Sequence, residues 1–179
     1  VEARIVGTDG AVACLAIAVF GQARESALRW GPTRPPVLQT PEASAQIPRV
    51  PGLSPAFTAF LEQRWSDGAM PFCGGATPRT QIHLRFRDEP RTDESTVIAL
   101  ADAIPSPGIS VLREPAPASS MTWTLELLRD RLDDFPDGYW CMDAEATSAA
   151  EGYVFQTATL WSPDGQPVAL SRQGTAVFG

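Results

Sequence analysis

Apolar and polar residues alternate with a period of two through much of the second half of the chain. Gln81-Ile82-His83-Leu84-Arg85-Phe86-Arg87 alternates strictly, the pattern of a strand with one buried face. Residues 121–128 repeat it, setting Met121, Trp123, Leu125 and Leu127 against Thr122, Thr124 and Glu126. Residues 139–146, 153–161 and 168–178 predict three more strands. The last two are joined by Ser162-Pro163-Asp164-Gly165, a hairpin signal. Before them, Phe57, Ala59, Leu61 and Trp65 at period two predict a strand over 57–65. One segment departs from alternation. Residues 97–104 are apolar around most of a helical circumference, which predicts a buried helix. Thr92 is its expected cap, and Asp93 and Glu94 complement the helix dipole. Pro105 and Pro107 end it. One buried helix followed by an antiparallel meander predicts an α+β fold, a sheet wrapped around a helix.

The start of the chain follows a different plan. Residues 2–6 and 11–20, with Thr8-Asp9-Gly10 between them, read as a hairpin that cannot bury its apolar face alone. Seven prolines then fall within residues 31–55. Proline fixes φ and removes backbone donors, so this stretch reads as a linker. Asp9-Gly10 followed by Ala18-Val19-Phe20-Gly21 is echoed by Asp164-Gly165 followed by Ala176-Val177-Phe178-Gly179. The echo implies two similar units. The expected organisation is the final hairpin of an incomplete first unit at 1–30, a linker at 31–55 and a second unit at 56–179.

Charge narrows the partners. Fourteen basic residues, all Arg, against twenty-one acidic ones give a net charge of −7. That balance disfavours nucleic acid, whose phosphates need a concentrated basic face. Arg85, Arg87 and Arg91 lie close together and could meet an anionic ligand such as a CoA phosphate, or simply end a solvated strand. The longest apolar stretch, residues 11–20, is too short to span a bilayer and lacks the flanks of a signal peptide. Cys14, Cys73 and Cys141 share no CxxC spacing and leave one unpaired, which suggests a reducing, cytoplasmic compartment. One His and scattered Cys make no zinc site. Neither metal nor cofactor is expected.

Candidate chemistry centres on Asp102. It is the only charged residue between Val97 and Ile104, and burying a carboxylate is costly without a partner. A partly desolvated Asp is a better base toward water. The competing reading is an aspartate on the exposed edge of the helix, and the residues alone leave both open. Gln173 interrupts a strand of small and apolar residues, and its amide can both donate to and accept from a water. An outward-facing polar residue is its plainer reading. His83, opposite in phase to Ile82, Leu84 and Phe86, is read as structural or surface. No GxSxG elbow, P-loop or dinucleotide fingerprint is present. Trp123, Trp140 and Trp161 are read as core or interface residues, with the lining of an acyl tunnel as the alternative.

Four blocks carry a resemblance: Ile98-Ala99-Leu100-Ala101-Asp102-Ala103, Ala144-Glu145-Ala146-Thr147-Ser148-Ala149, Gly152-Tyr153 through Leu160-Trp161-Ser162-Pro163-Asp164-Gly165, and Val168-Ala169-Leu170-Ser171-Arg172-Gln173. In order and spacing they resemble the acyl-CoA thioesterase II family over about residues 57–179. The resemblance implies a hotdog fold, here the C-terminal half of a double hotdog. The first thirty residues then match the end of the family's first hotdog, whose earlier strands and helix are missing from this sequence, as in a truncated chain. It further implies hydrolysis of fatty acyl-CoA by a water held by an Asp, a Gln and a Thr or Ser, with a backbone donor for the oxyanion. Asp102 and Gln173 match the first two. By strand register the hydroxyl position falls on Met121, and alternation turns Ser120 and Thr122 to the opposite face. A one-residue shift would bring in Thr122. A catalytically silent hotdog that binds acyl groups or serves in assembly is the alternative, favoured by Met121. A hydratase would need His83. Hotdog sheets commonly continue across a partner, so a dimer or higher homo-oligomer is expected.

Overall fold

The computed structural model describes residues 1–33, 39–88 and 92–178. These fall into two compact units, Val1–Trp30 and Gly31–Gly179. The first is an antiparallel hairpin of β1 (Glu2–Val6) and β2 (Val12–Ile17). Gly10 takes φ 80° in its turn, and the Asp9 carboxylate accepts the Ala11 N–H at 3.0 Å. The Asp-Gly pair thus closes the turn as its chemistry predicts. Every residue of both strands is exposed.

The second unit is a seven-stranded sheet of β3 (Ala45–Gln46), β4 (Leu61–Asp67), β5 (Arg79–Phe86), β6 (Ala118–Leu127), β7 (Trp140–Ala150), β8 (Tyr153–Trp161) and β9 (Pro167–Val177). Its order is β3-β4-β5-β7-β8-β9-β6, with every neighbouring pair antiparallel. Helix α1 (Glu94–Asp102) lies in the connection from β5 to β6. Within the proline-rich stretch, Ala45 and Gln46 pair with Trp65 and Arg64 of β4. Pro35 and Pro36 lie outside the described residues.

Strand alternation sorts the side chains onto two faces. Trp65, Ile82, Leu84, Trp140, Met142, Ala144, Ala158, Leu160 and Ala169 turn toward Val97, Leu100 and Ala101 of α1 and form one core. Each fully buried Leu or Val contributes about 1.5–3 kcal/mol. The opposite face carries charge. Glu62 receives Arg64 and Arg85 at 2.8 and 2.7 Å, and Arg79 meets Asp143 at 3.0 Å. Glu151 and Gly152, with φ 52° and 80°, make the two-residue turn from β7 to β8, and such turns match strand twist.

Several local expectations are corrected. Ala56–Phe60 is a 3-10 turn rather than the start of a strand. Thr58 closes it by donating its N–H and its hydroxyl to Pro55 O, at 3.1 and 2.7 Å. The helix cap is Asp93, not Thr92, because the Asp93 carboxylate accepts the Thr96 N–H at 2.9 Å, a contact worth about 1 kcal/mol. Helix α1 has nine residues and buries Thr96, Val97, Leu100 and Ala101, while Ile98 stays 40% exposed. Only one arc of its apolar surface therefore meets the sheet.

Candidate active site

Three elements bring polar side chains together at the open edge of α1. Asp102 is the last residue of the helix. Gln173 lies in β9, on the face of the sheet that α1 covers. Its Nε2 donates to Asp102 Oδ1 at 3.1 Å and to Ser120 Oγ at 2.8 Å. One amide nitrogen thus joins a carboxylate from the helix to a hydroxyl from the edge strand β6. Asp102 and Ser120 are exposed and Gln173 is half-buried, so the cluster is open to a ligand.

Ser120 reaches this position through a break in strand register. Along β6, Ser120 pairs with Thr175 and Thr122 with Gly174, so two steps on β6 match one on β9. Met121 is the extra residue of a bulge and stands 58% exposed. The bulge reverses the phase of the residues before it. Ser120 therefore joins Trp123, Leu125 and Gln173 on the helix side, against the uniform alternation that assigned the position to Met121. Thr122 lies on the other face. Its Oγ1 is 2.8 Å from where a Cβ on Gly174 would stand, and the Phe155 ring is 3.3 Å from the same point. The structure brings Asp102 and Gln173 together and supplies Ser120, not Thr122, as the hydroxyl beside them. Strict alternation hid it, and only the adjacent Ser119-Ser120 pair hinted at a hydroxyl nearby.

Burial pushes the Asp102 carboxyl above its ordinary value of 3.8, and the Gln173 N–H acts in the opposite direction. Solvent reaches the residue from one side, but loss of water from the protein-facing side is the larger influence. Gln173 Oε1 accepts from Gln156 Nε2 at 2.9 Å. Trp123, paired with Gln173 across the strands, donates its indole N–H to Ser171 Oγ at 2.9 Å and is 36% exposed. Trp140 and Trp161 are buried, so of the three tryptophans only Trp123 borders the cluster.

The remaining candidates lie elsewhere. His83 is buried on the charged face, away from Asp102 and Gln173, with Nε2 2.9 Å from Gln39 O. Arg85 is held by Glu62 and stacks on Tyr139 at 4.4 Å. Arg87 is exposed, and Arg91 lies outside the described residues. Among the described residues, no group of three or more His, Cys, Asp or Glu is placed to hold a metal ion, and no helix is long and apolar enough to cross a membrane.

A helix laid against an antiparallel sheet is the hotdog arrangement, and a carboxylate, an amide and a hydroxyl meet at its edge. The family model for the acyl-CoA thioesterase C-terminal domain matches residues 36–177, and the chain belongs to that family. A hotdog-fold protein of unknown function from Alicyclobacillus acidocaldarius is 25% identical with a TM-score of 0.83, over 97% of this chain and 65% of that one. The tesB protein of Mycobacterium avium subs paratuberculosis is 14% identical with a TM-score of 0.60, over 86% and 57%. The acyl-CoA thioesterase II TesB2 of Mycobacterium marinum is 18% identical with a TM-score of 0.60, over 99% and 68%. The chain thus spans about three fifths to two thirds of the length of these structures. Comparison with curated proteins gives no match.

Proposed function

We propose that this chain carries the water-activating site of an acyl-CoA thioester hydrolase, with Asp102 as general base, Ser120 as the hydroxyl that holds the water and Gln173 as the amide that orients both. The observation that carries this reading is the single amide nitrogen of Gln173 bonded to both Asp102 and Ser120. Among the described residues that contact leaves the second carboxylate oxygen of Asp102 and the hydroxyl proton of Ser120 available to bind one water between them. Asp102 takes a proton as the water oxygen attacks the thioester carbonyl carbon. The tetrahedral adduct then collapses, the C–S bond breaks, and the proton passes to the departing thiolate. The products are a carboxylic acid and free thiol. A partly desolvated carboxylate is suited to this step because its raised pKa makes it the stronger base.

Met121 in the hydroxyl position favours a silent binding module, whereas Ser120 beside Gln173 supports hydrolysis. The homo-oligomer we expect has a physical basis in β6. It is an edge strand with one unpaired side in the described sheet, and it exposes Met121, Trp123 and Leu127.

The test is hydrolysis of acyl-CoAs of graded chain length, with Asp102→Asn in parallel. Loss of a positioned general base lowers kcat by about 10²–10⁴-fold. Because the base must be ionised, wild-type kcat/KM should fall with decreasing pH along a limb lying above the ordinary aspartate value of 3.8. Wild-type turnover retained in Asp102→Asn would remove Asp102 from the reaction.

A further inference from the structure

A glutamine amide has nearly the same shape when turned by 180°, yet its two ends do opposite things. Only one orientation of Gln173 serves this site, with Nε2 toward Asp102 and Ser120. Reversed, Oε1 would face the Asp102 carboxylate, acceptor against acceptor. Gln156 answers this ambiguity. It lies directly opposite Gln173 on β8 and is 3% exposed, and its Nε2 donates to Gln173 Oε1 at 2.9 Å.

Gln156 is an odd occupant of its position. Val154, Ala158 and Leu160, its neighbours on the same face of β8, are apolar and buried. Its own Oε1 is buried with no hydrogen-bond partner among the described residues. A buried amide with an unmatched carbonyl is costly, and an apolar side chain would fill the space at less cost. Packing does not account for it, whereas its one side-chain hydrogen bond among the described residues leads into the site. We propose that Gln156 is a positioning residue that holds the side-chain amide of Gln173 with its NH2 toward Asp102 and Ser120. This rests on the water-activating reading of the site and adds how that site is kept ready.

The consequence reaches Asp102 through Gln173. Burial and the Gln173 N–H are the two influences on the Asp102 carboxyl, and no charged side chain of α1, β6, β8 or β9 contributes among the described residues. When the donor is lost, Asp102 holds its proton to higher pH.

The experiment uses the full chain with Gln156→Met, which removes the donor at similar volume, and Gln156→Leu, which removes it with an apolar side chain like those of its neighbours on β8. Asp102 is titrated by carboxyl ¹³C NMR, and kcat and KM are measured on an acyl-CoA that the wild type turns over. In both variants Asp102 should titrate above its wild-type value. In both, kcat should fall about tenfold, the scale of one net hydrogen bond, with KM little changed and the acid limb moving with Asp102. An unshifted Asp102 in either variant that unfolds at the wild-type temperature overturns the proposal. Shifted titration in variants of a wild type that hydrolyses no acyl-CoA upholds the positioning role and sinks the hydrolase reading instead.

Discussion

Ser120→Ala and Thr122→Ala form a matched pair that separates the two hydroxyls offered by the edge strand. Both remove a hydroxyl from an exposed residue of β6, Thr122→Ala with a methyl group besides, so their effects on folding should be small. Their effects on the site should differ. Ser120 Oγ accepts the Gln173 N–H at 2.8 Å, while Thr122 Oγ1 lies over the opposite face of Gly174. A neutral hydrogen bond is worth about 0.5–1.5 kcal/mol net, or roughly 2- to 12-fold in rate. Loss of a water contact adds a second bond of the same size, so Ser120→Ala should lower kcat by about 4- to 150-fold. Thr122→Ala should stay within about twofold, as a surface change outside the site. Thiol release from acyl-CoA reads both variants, with a no-substrate control because Cys14 and Cys73 are exposed and react with thiol reagents. Equal losses in the two variants, or a larger loss in Thr122→Ala, would refute the bulged register as the basis of the site.

Two further predictions concern the scaffold. Tyr139, then Arg85 and Arg64, by their hydrogen bonds and against the cost of burial, hold the Glu62 carboxyl down at about 2 from 4.5. That depression stabilises the fold above pH 4.5, and the contribution fades as pH falls from 4.5 toward 2. Glu62→Gln should therefore be less stable to denaturant at pH 7, with the gap closing in acid; a gap independent of pH would contradict this account. Gly68 has φ 85°, and a Cβ there would stand 2.0 Å from Arg79 O. Gly68→Ala should cost more than about 2 kcal/mol and lower Tm by several degrees, and an unchanged Tm would show that the turn adapts.

Much of the fold is legible in the chain because alternation is a local signal. The strands from Gln81 onward and helix α1 follow from side-chain period, and the turns at Asp9 and Asp164 follow from their Asp-Gly pairs. Where a neighbouring side chain competes for a backbone group, the local reading slips. Asp93 displaces Thr92 as the cap because its carboxylate reaches the Thr96 N–H. The 3-10 turn after Pro55 takes residues whose apolar spacing suits a strand.

For the site, the sequence by itself was enough to single out Asp102 as an anomalous charge in an apolar helix. It set Gln173 beside it only through family resemblance, since strands far apart in the chain carry no mutual signal. The tertiary structure decided the hydroxyl. A bulge is a property of two paired strands, created when the ten residues of β6 are fitted to nine of β9. No periodicity within β6 marks Met121 as the residue pushed out. The same holds for Gln156, whose polarity is visible in the chain but whose partner is fixed only when β8 and β9 lie side by side.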